Sequence, residues 1–455
     1  MSVQSITSGL SSGLISALDF QLKKNADYIR ERRSVSYLPS AGDTWSPAGA
    51  RDIQFRMAGG NMIDPSTLVF CADVVVTGSH DLQPTTAAHG MFSKMKLEVG
   101  GTVVEQQELF NETTEIAFRL LSPPAKLAYA DKSFPLDISN NDDTTSSHLE
   151  VGKLRYHTVA SAPAPAGHST PIMMPFLSVG LFNVKTYLPL MFMSNIVLNL
   201  TLAPGDSWIQ KSALDPSGNP VNPLRNDGTY TLTNCRILCD EVVLDPGLVS
   251  ELATRLSSSR INIPLNVFNS YSLSNPITVK DPSFQIARSL SKLKQIYVTL
   301  KQDTSQKTKL KSAVSEMYYP QGAKVQFRVQ IGSKLYPAYN AVGADSLQEF
   351  LYRLELSSAT HNSQIFTHGL SKKMYFDDDE RAFLIALDME KTLHQDAEVD
   401  FTGMDLSNSP AITLSFKNLQ GPGTNDNEKP PTEAHVFLFS SAILSLALND
   451  IQLLE

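Results

Sequence analysis

The stretch Lys96-Leu-Glu-Val-Gly100-Gly101 returns in the second half of the chain as Arg328-Val-Gln-Ile-Gly332-Ser333, displaced by 332 − 100 = 232 positions. In both copies apolar and polar residues alternate, the period of a strand with one face on a core. The first copy puts Met91, Ser93, Met95, Leu97 and Val99 on one face and Phe92, Lys94, Lys96 and Glu98 on the other. The second alternates Val325, Phe327, Val329 and Ile331 with Gln326, Arg328 and Gln330. Glycine at the end of each run supplies the positive φ of a tight hairpin. Thr102-Val-Val104 and Lys334-Leu-Tyr336 then return.

Working outward, the same order of elements recurs on both sides. Downstream, Phe110, Thr113, Ala117, Leu120 and Leu121 form a helical stripe stopped by Pro123-Pro124. Its counterpart has Leu347, Phe350, Leu351 and Leu354 behind a capping box, Ser346-Leu-Gln-Glu349. Upstream, Ile53-Gln-Phe55 is echoed by Phe284-Gln-Ile286 (284 − 53 = 231), and Ser34-Val-Ser-Tyr37 by Ser270-Tyr271-Ser-Leu273 (271 − 37 = 234). Further on, Ile196–Leu202 resembles Ile412–Phe416, and Asn234–Leu238 resembles His435–Phe439. Echoes in register point to two copies of one fold in tandem. A short helix over Leu248–Leu256, ending at Ser257-Ser-Ser259, is the linker. The expected organisation is an arm over 1–33, a first roll over 34–256 and a second over 257–455. Polar or Pro-rich insertions at Asp137–Ser147, Ser161–Pro175, Pro204–Asp227 and Leu419–Thr432 read as surface loops. Phe70, Val74, Met95, Leu97, Phe327, Val329, Leu351 and Leu354 are expected in the cores, and Phe92 on the opposite face.

Composition narrows the function classes. With 455 residues, 42% apolar and 18% charged, the chain is long enough for two or three domains with sizeable cores. A net charge of −8 argues against a surface that coats nucleic acid throughout. Cys71, Cys235 and Cys239 are too few for a disulfide framework and lack partners for a zinc site, so they read as structural thiols. The first 20 residues lack a basic start and a continuous apolar core, which argues against a signal peptide. The most apolar stretch, Tyr187–Pro204, alternates as a half-buried strand does.

Motifs for bond chemistry are missing: there is no His-Glu-x-x-His, Gly-x-Ser-x-Gly, P-loop or dinucleotide fingerprint. No catalytic, cofactor-binding or metal residue is assigned. Asp377-Asp-Asp-Glu380 lacks the alternating ligands and glycine turn of a calcium loop and reads as a solvated run. His168 sits in a Pro-rich loop. The suggestive segment is the arm. Leu10, Leu14, Leu18 and Leu22 recur at i+4, followed by the basic cluster Lys23, Lys24, Arg30, Arg32 and Arg33. This arm either packs under its own sandwich or contacts a membrane, a nucleic acid or another protein.

Several runs now fall into a known order. Ser34-Val-Ser-Tyr37-Leu-Pro39, Asp52-Ile-Gln-Phe55, Met62-Ile-Asp-Pro-Ser-Thr-Leu68 and Phe92-Ser-Lys-Met95 with Leu97-Glu-Val-Gly-Gly101 are followed by a helix. In the second half come Val325–Pro337, Leu387-Asp-Met-Glu-Lys391 and Phe401-Thr-Gly403. The sequence resembles the double jelly-roll major capsid proteins of the Polinton, virophage and adintovirus group. Adenovirus hexon and the capsid proteins of large nucleocytoplasmic DNA viruses are more distant. The resemblance implies an all-β protein of two tandem antiparallel eight-stranded jelly rolls with short helices in loops. It further implies a structural protein of the virion, not an enzyme, assembled inside the host cell as homotrimeric pseudo-hexamers that tile an icosahedral shell. Expected partners are its own copies, neighbouring capsomers, and penton and minor capsid proteins. An internal membrane or the genome could meet the arm. Cofactors are not expected. The alternatives are a glycan-binding or adhesive β-sandwich, which would show exposed aromatics on a sheet face, and a β-rich hydrolase.

Overall fold

In a computed structural model, the chain is described over residues 28–77, 82–84, 86–133, 149–150, 153–154, 169–211, 229–273, 281–288, 290, 292–301, 317–318, 325–342, 347–362, 370, 382–391, 403–407, 411–419, 431–447 and 450–454. The first half contributes strands β1 (Ile29–Tyr37), β2 (Asp52–Met57), β3 (Met62–Thr77), β4 (Phe92–Val99), β5 (Thr102–Gln107), β6 (Thr170–Pro175), β7 (Ile196–Leu202) and β8 (Thr229–Leu244). The second contributes β9 (Ile261–Leu273), β10 (Ser283–Ala287), β11 (Leu293–Lys301), β12 (Gln326–Ile331), β13 (Lys334–Val342), β14 (Ile385–Asp388), β15 (Ala411–Lys417) and β16 (Glu433–Ala447). The chain then adds β17 (Asp450–Leu454). Among the described residues, the helices of ten residues or more are α1 (Phe110–Arg119), α2 (Pro123–Ser133), α3 (Pro246–Ser258) and α4 (Leu347–Asn362).

The main sheets of the first half run β1-β8-β3-β6 and β2-β7-β4-β5. Those of the second run β9-β16-β11-β14 and β10-β15-β12-β13. Adding eight to each strand number of the first pair gives the second pair, so the two halves repeat one antiparallel jelly-roll topology. Alternation puts the cores between the sheets. In β7, Ile196, Leu198, Leu200 and Leu202 are buried while the residues between them are half-exposed. The Gly100-Gly101 turn has φ of 55° and 89°, and Gly332 has 59°, the left-handed values that two-residue hairpins need. Phe55, Phe70 and Phe92 stack edge to face at the centre of the first roll, with centroids 6.0 and 5.2 Å apart. Phe327 and Phe416 do so, tilted, in the second at 5.0 Å.

One difference between the rolls matters for function. Strand β8 alternates buried and half-buried residues, whereas β16 in the same position is buried on both faces along nearly its whole length. On the face that carries His435, β16 meets Glu112 of the first roll. Beyond Ser440, the end of β16 and the start of β9 pack on the first roll from the other face. Ile263, Leu265, Val267, Ala442, Leu444 and Leu446 join the core cluster of the first roll. Strand β11 reaches only Ser440 along β16, and β17 occupies the rest of that edge over Ile443–Ala447.

The expected core residues Phe70, Val74, Met95, Leu97, Phe327, Val329 and Leu354 are buried. Leu351 is half-buried at the margin of the second core. Four expectations need correction. Phe92 lies in the core, because a register shift between Thr201 and Leu202 on β7 lets Phe92 turn inward at the start of β4. Pro123-Pro124 does not merely stop α1; it opens α2, where a proline lacking its N–H fits the first turn. The Ser161–Pro175 insertion contains the sheet-edge strand β6. Ladder register also pairs Phe55 with Leu198 and Phe284 with Leu414, the same position in β7 and β15, so Phe284 corresponds to Phe55 and not to Ile53. A slip of two residues keeps every side chain on its face, which is why the echo survived it. Ser346, His168 and Asp377–Glu380 lie outside the described residues.

Candidate assembly site

Helix α1 is built of residues that look wrong for a buried element. Asn111, Glu112, Thr113, Thr114 and Glu115 are all buried, because the helix is wedged between the rolls. Phe110 and Phe118 enter the first core, while Ile116 and Leu120 enter the second. Buried polar groups must be paired, and these are. Thr113 Oγ1 donates to Leu109 O at 2.8 Å, and Thr114 Oγ1 lies 2.7 Å from Ser178 Oγ. Glu112 reaches across to the second roll, 2.8 Å from His435 Nδ1 and 3.2 Å from Lys301 Nζ. Burial pushes the Glu112 carboxyl up, but Lys301 and His435 outweigh it and hold it below its ordinary range. Burial likewise works against protonated His435, yet Glu112 raises its pKa above the ordinary value.

Beside this pair, Glu105 of β5 caps the seam. Its Oε2 accepts from Gly180 N at 2.8 Å, and its Oε1 accepts from Gln107 Nε2 at 2.7 Å and from Phe268 N of β9 at 3.3 Å. Burial drives its pKa up to about 7 against the opposing hydrogen bonds. At Gly180 the backbones nearly touch: a Cβ there would lie 1.9 Å from Asn266 O. The polar run Asn111-Glu-Thr-Thr-Glu115 inside a helix that otherwise carries an apolar stripe is the sequence signal for this seam, since polar residues buried in a helix need partners.

A second buried cluster locks α1 to α2. Glu115 Oε2 accepts from Thr86 Oγ1 at 2.8 Å and lies 2.8 Å from His89 Nε2, while Arg119 Nε donates to Oε1 at 2.7 Å. His89 Nδ1 lies 3.3 Å from Tyr129 OH. Hydroxyl, imidazole and carboxylate stand together as in a hydrolase, but Thr86, His89 and Glu115 are buried away from any substrate. Lys126 is pushed down to about 8 by burial and by Arg119. Among the described residues, no three His, Cys, Asp or Glu side chains converge as metal ligands. Cys71, Cys235 and Cys239 are buried thiols, and burial pushes Cys235 and Cys239 up to about 12.

The basic cluster assigned to the arm is divided. Lys23 and Lys24 lie outside the described residues. Arg30, Arg32 and Arg33 stand in β1, which begins at Ile29, inside the segment expected to be arm. Antiparallel pairing lays them beside the acidic end of β8. Arg30 meets Asp245 at 2.6 Å, Arg32 bridges Asp64 and Asp240 at 2.8 Å each, and Arg33 meets Glu241 at 3.0 Å. Three of the five charges are thus matched by carboxylates of the chain's own sheet. Trp45 and Trp208, the two tryptophans of the chain, are both buried.

By sequence the chain matches no family model and no curated protein. By structure it is similar over nearly its whole length to several solved proteins. The Faustovirus major capsid protein superposes with a TM-score of 0.59 at 8% identity, covering 98% of this chain and 94% of that one. VP54 of PBCV-1 gives 0.58 at 12% identity, covering 95% and 98%. The mavirus major capsid protein gives 0.53 at 11%, covering 98% and 94%. With its repeated sheet order and full-length superposition, the chain has the double jelly-roll fold of viral major capsid proteins.

Proposed function

We propose that this chain is a capsid shell protein, a major structural protein whose copies associate as trimers and tile the shell of a virion. The observation that carries the reading is the asymmetry between the rolls. Strand β16 is buried on both faces along nearly its whole length, whereas the equivalent outward-facing residues of β8 are only half-buried. A contact of head-to-tail type, repeated between chains, closes into a ring when its rotation allows. Three doubled chains then present six similar lobes, which suits hexagonal packing. The mechanism is geometric: sandwich cores give rigidity, the seam fixes the angle between rolls, and no bond is made or broken. The fold likeness to proteins that are themselves capsid proteins supports this role. Penton and minor capsid proteins are the further partners of this reading, and the segment before Ile29 is its candidate for contact with an internal membrane or genome.

The glycan-binding alternative wants exposed aromatics on a sheet face; both tryptophans are interior, and Tyr339 is the one strongly exposed aromatic among the described strand residues. Light scattering on the expressed chain at micromolar concentration tests the proposal. Trimers or larger particles are expected; a stable monomer at every salt concentration contradicts it.

A further inference from the structure

We propose that the open edge of β1 and the exposed side of β13 and α4 are the two halves of one contact between copies of this chain. The inference rests on the self-assembling reading above and deepens it by naming the surfaces and residues that meet.

Strands β1 and β9 hold the same place at the edge of equivalent sheets. The edge of β9 is covered: Glu105 accepts from Phe268 N, Ser270 Oγ accepts from Leu109 N at 3.2 Å, and Gly180 abuts Asn266. Only 3 of its 13 residues are exposed. In β1, 6 of 9 residues are exposed, and among the described residues no strand pairs with its outer edge. An uncovered strand edge is a ready template for another chain.

The cover on β9 comes from the turn at Gly180 and from β5 and the start of α1. The counterparts of β5 and α1 in the second roll, β13 and α4, pack on β12 and β14 of their own roll and keep an exposed side. Tyr339 of β13 and Tyr352 of α4 are 57% and 52% exposed, while Phe350 and Leu354 beneath them are buried. Arg353 lies over the Tyr339 ring at 5.6 Å, donates to its hydroxyl at 2.8 Å and is tied to Glu349 at 3.0 Å. Two tyrosines around a fixed arginine are the composition of interface centres. The uncovered edge and the unused cover are thus complementary under the same relation that joins the two rolls inside one chain.

That relation also predicts which residues face each other. Ser34 corresponds to Phe268 at the offset of the Tyr37 echo (268 − 34 = 234). Tyr336 and Ala341 pair with Val329 and Phe327 as Glu105 and Gln107 pair with Leu97 and Met95, so Tyr336 holds the place of Glu105 and the exposed Tyr339 lies in the bulge between Tyr336 and Ala341. Ser34 of one copy should therefore approach Tyr339 of the next.

The test is a full-length double variant, Ser34→Cys with Tyr339→Cys, oxidised and run on a non-reducing gel. The three native cysteines are buried and serve as an internal control. Most of the protein should shift to covalently linked multiples, with neither single variant doing so. Tyr352→Asp, at an exposed position, should reduce the mass in solution to that of a single chain while leaving the circular dichroism spectrum unchanged. If copies assemble without the cross-link, and Tyr352→Asp assembles like the parent, the contact lies elsewhere: this inference falls and the shell reading stands. If the parent chain never assembles, the shell reading falls and takes the inference with it.

Discussion

Glu105 of the first roll accepts a hydrogen bond from the backbone N–H of Phe268 in the second, 3.3 Å away across the seam, with no cation among the groups that set its pKa. A buried carboxylate in this position costs more as it ionises. Its folded pKa, about 7, lies above its ordinary 4.5. The stability it contributes is therefore fully present below 4.5 and lost as pH rises through 7, a swing of about 3 kcal/mol. Melting of the parent chain should fall between pH 5 and 8, and Glu105→Gln should flatten that slope. An unchanged slope in the variant contradicts the assignment.

The Glu112–His435 pair has its own pH signature. Lowered Glu112 contributes stability that is present above its ordinary 4.5 and lost as pH falls through its folded value. Raised His435 contributes stability that is full below 6.5 and lost as pH rises through its folded value. The pair therefore works best between these limits. Glu112→Ala strands Lys301 and His435 in the seam and should cost about 3–5 kcal/mol, read by urea unfolding at pH 5.5. A loss under 1 kcal/mol would mean that water reaches the pair.

Gly180→Ala tests how closely the rolls are apposed. The added Cβ meets backbone atoms of Asn266, which cannot rotate away. Destabilisation of about 3 kcal/mol, the upper end for overpacking, is expected in thermal melting. A neutral substitution would show that the seam has slack.

Core truncation separates burial from interface effects. Phe327→Ala removes a buried ring that stacks on Phe416 in the second roll. It should cost about 3–5 kcal/mol, with the pH slope set by Glu105 unaltered.

How far the sequence leads is plain from particular residues. Met95, Leu97, Val329 and Phe327 declared their faces because strand period and hairpin glycine agree, and the agreement in both halves gave the tandem fold. Phe92 misled because a bulge is a backbone event that alternation cannot display. The Phe284 echo aligned two residues off because apolar positions on one face are interchangeable to pattern reading. Glu105, Glu112 and His435 were illegible as a site: the hydrogen bonds they make across the seam span 163 to 323 positions, and nothing local marks a carboxylate as buried. Arg30, Arg32 and Arg33 looked like a free basic patch because the acids that match them, Asp240, Glu241 and Asp245, sit more than 200 residues downstream.

Those arginines bear on how much of the N-terminal segment the first roll needs. Removing residues 2–27 should leave the melting temperature unchanged, whereas removing 2–33 takes away half of β1 with its ion pairs and should destabilise the first roll. Comparing the two by calorimetry checks where the fold begins; equal melting of both would contradict a β1 that starts at Ile29.

The central claim is that two equivalent rolls in one chain exist to build a near-sixfold unit from three chains. Class averages from electron micrographs of the purified protein test it most directly. A ring of six similar lobes with threefold symmetry, alone or packed in a shell, is the expected result. Isolated two-lobed particles at all concentrations, or rings of another symmetry, would contradict it.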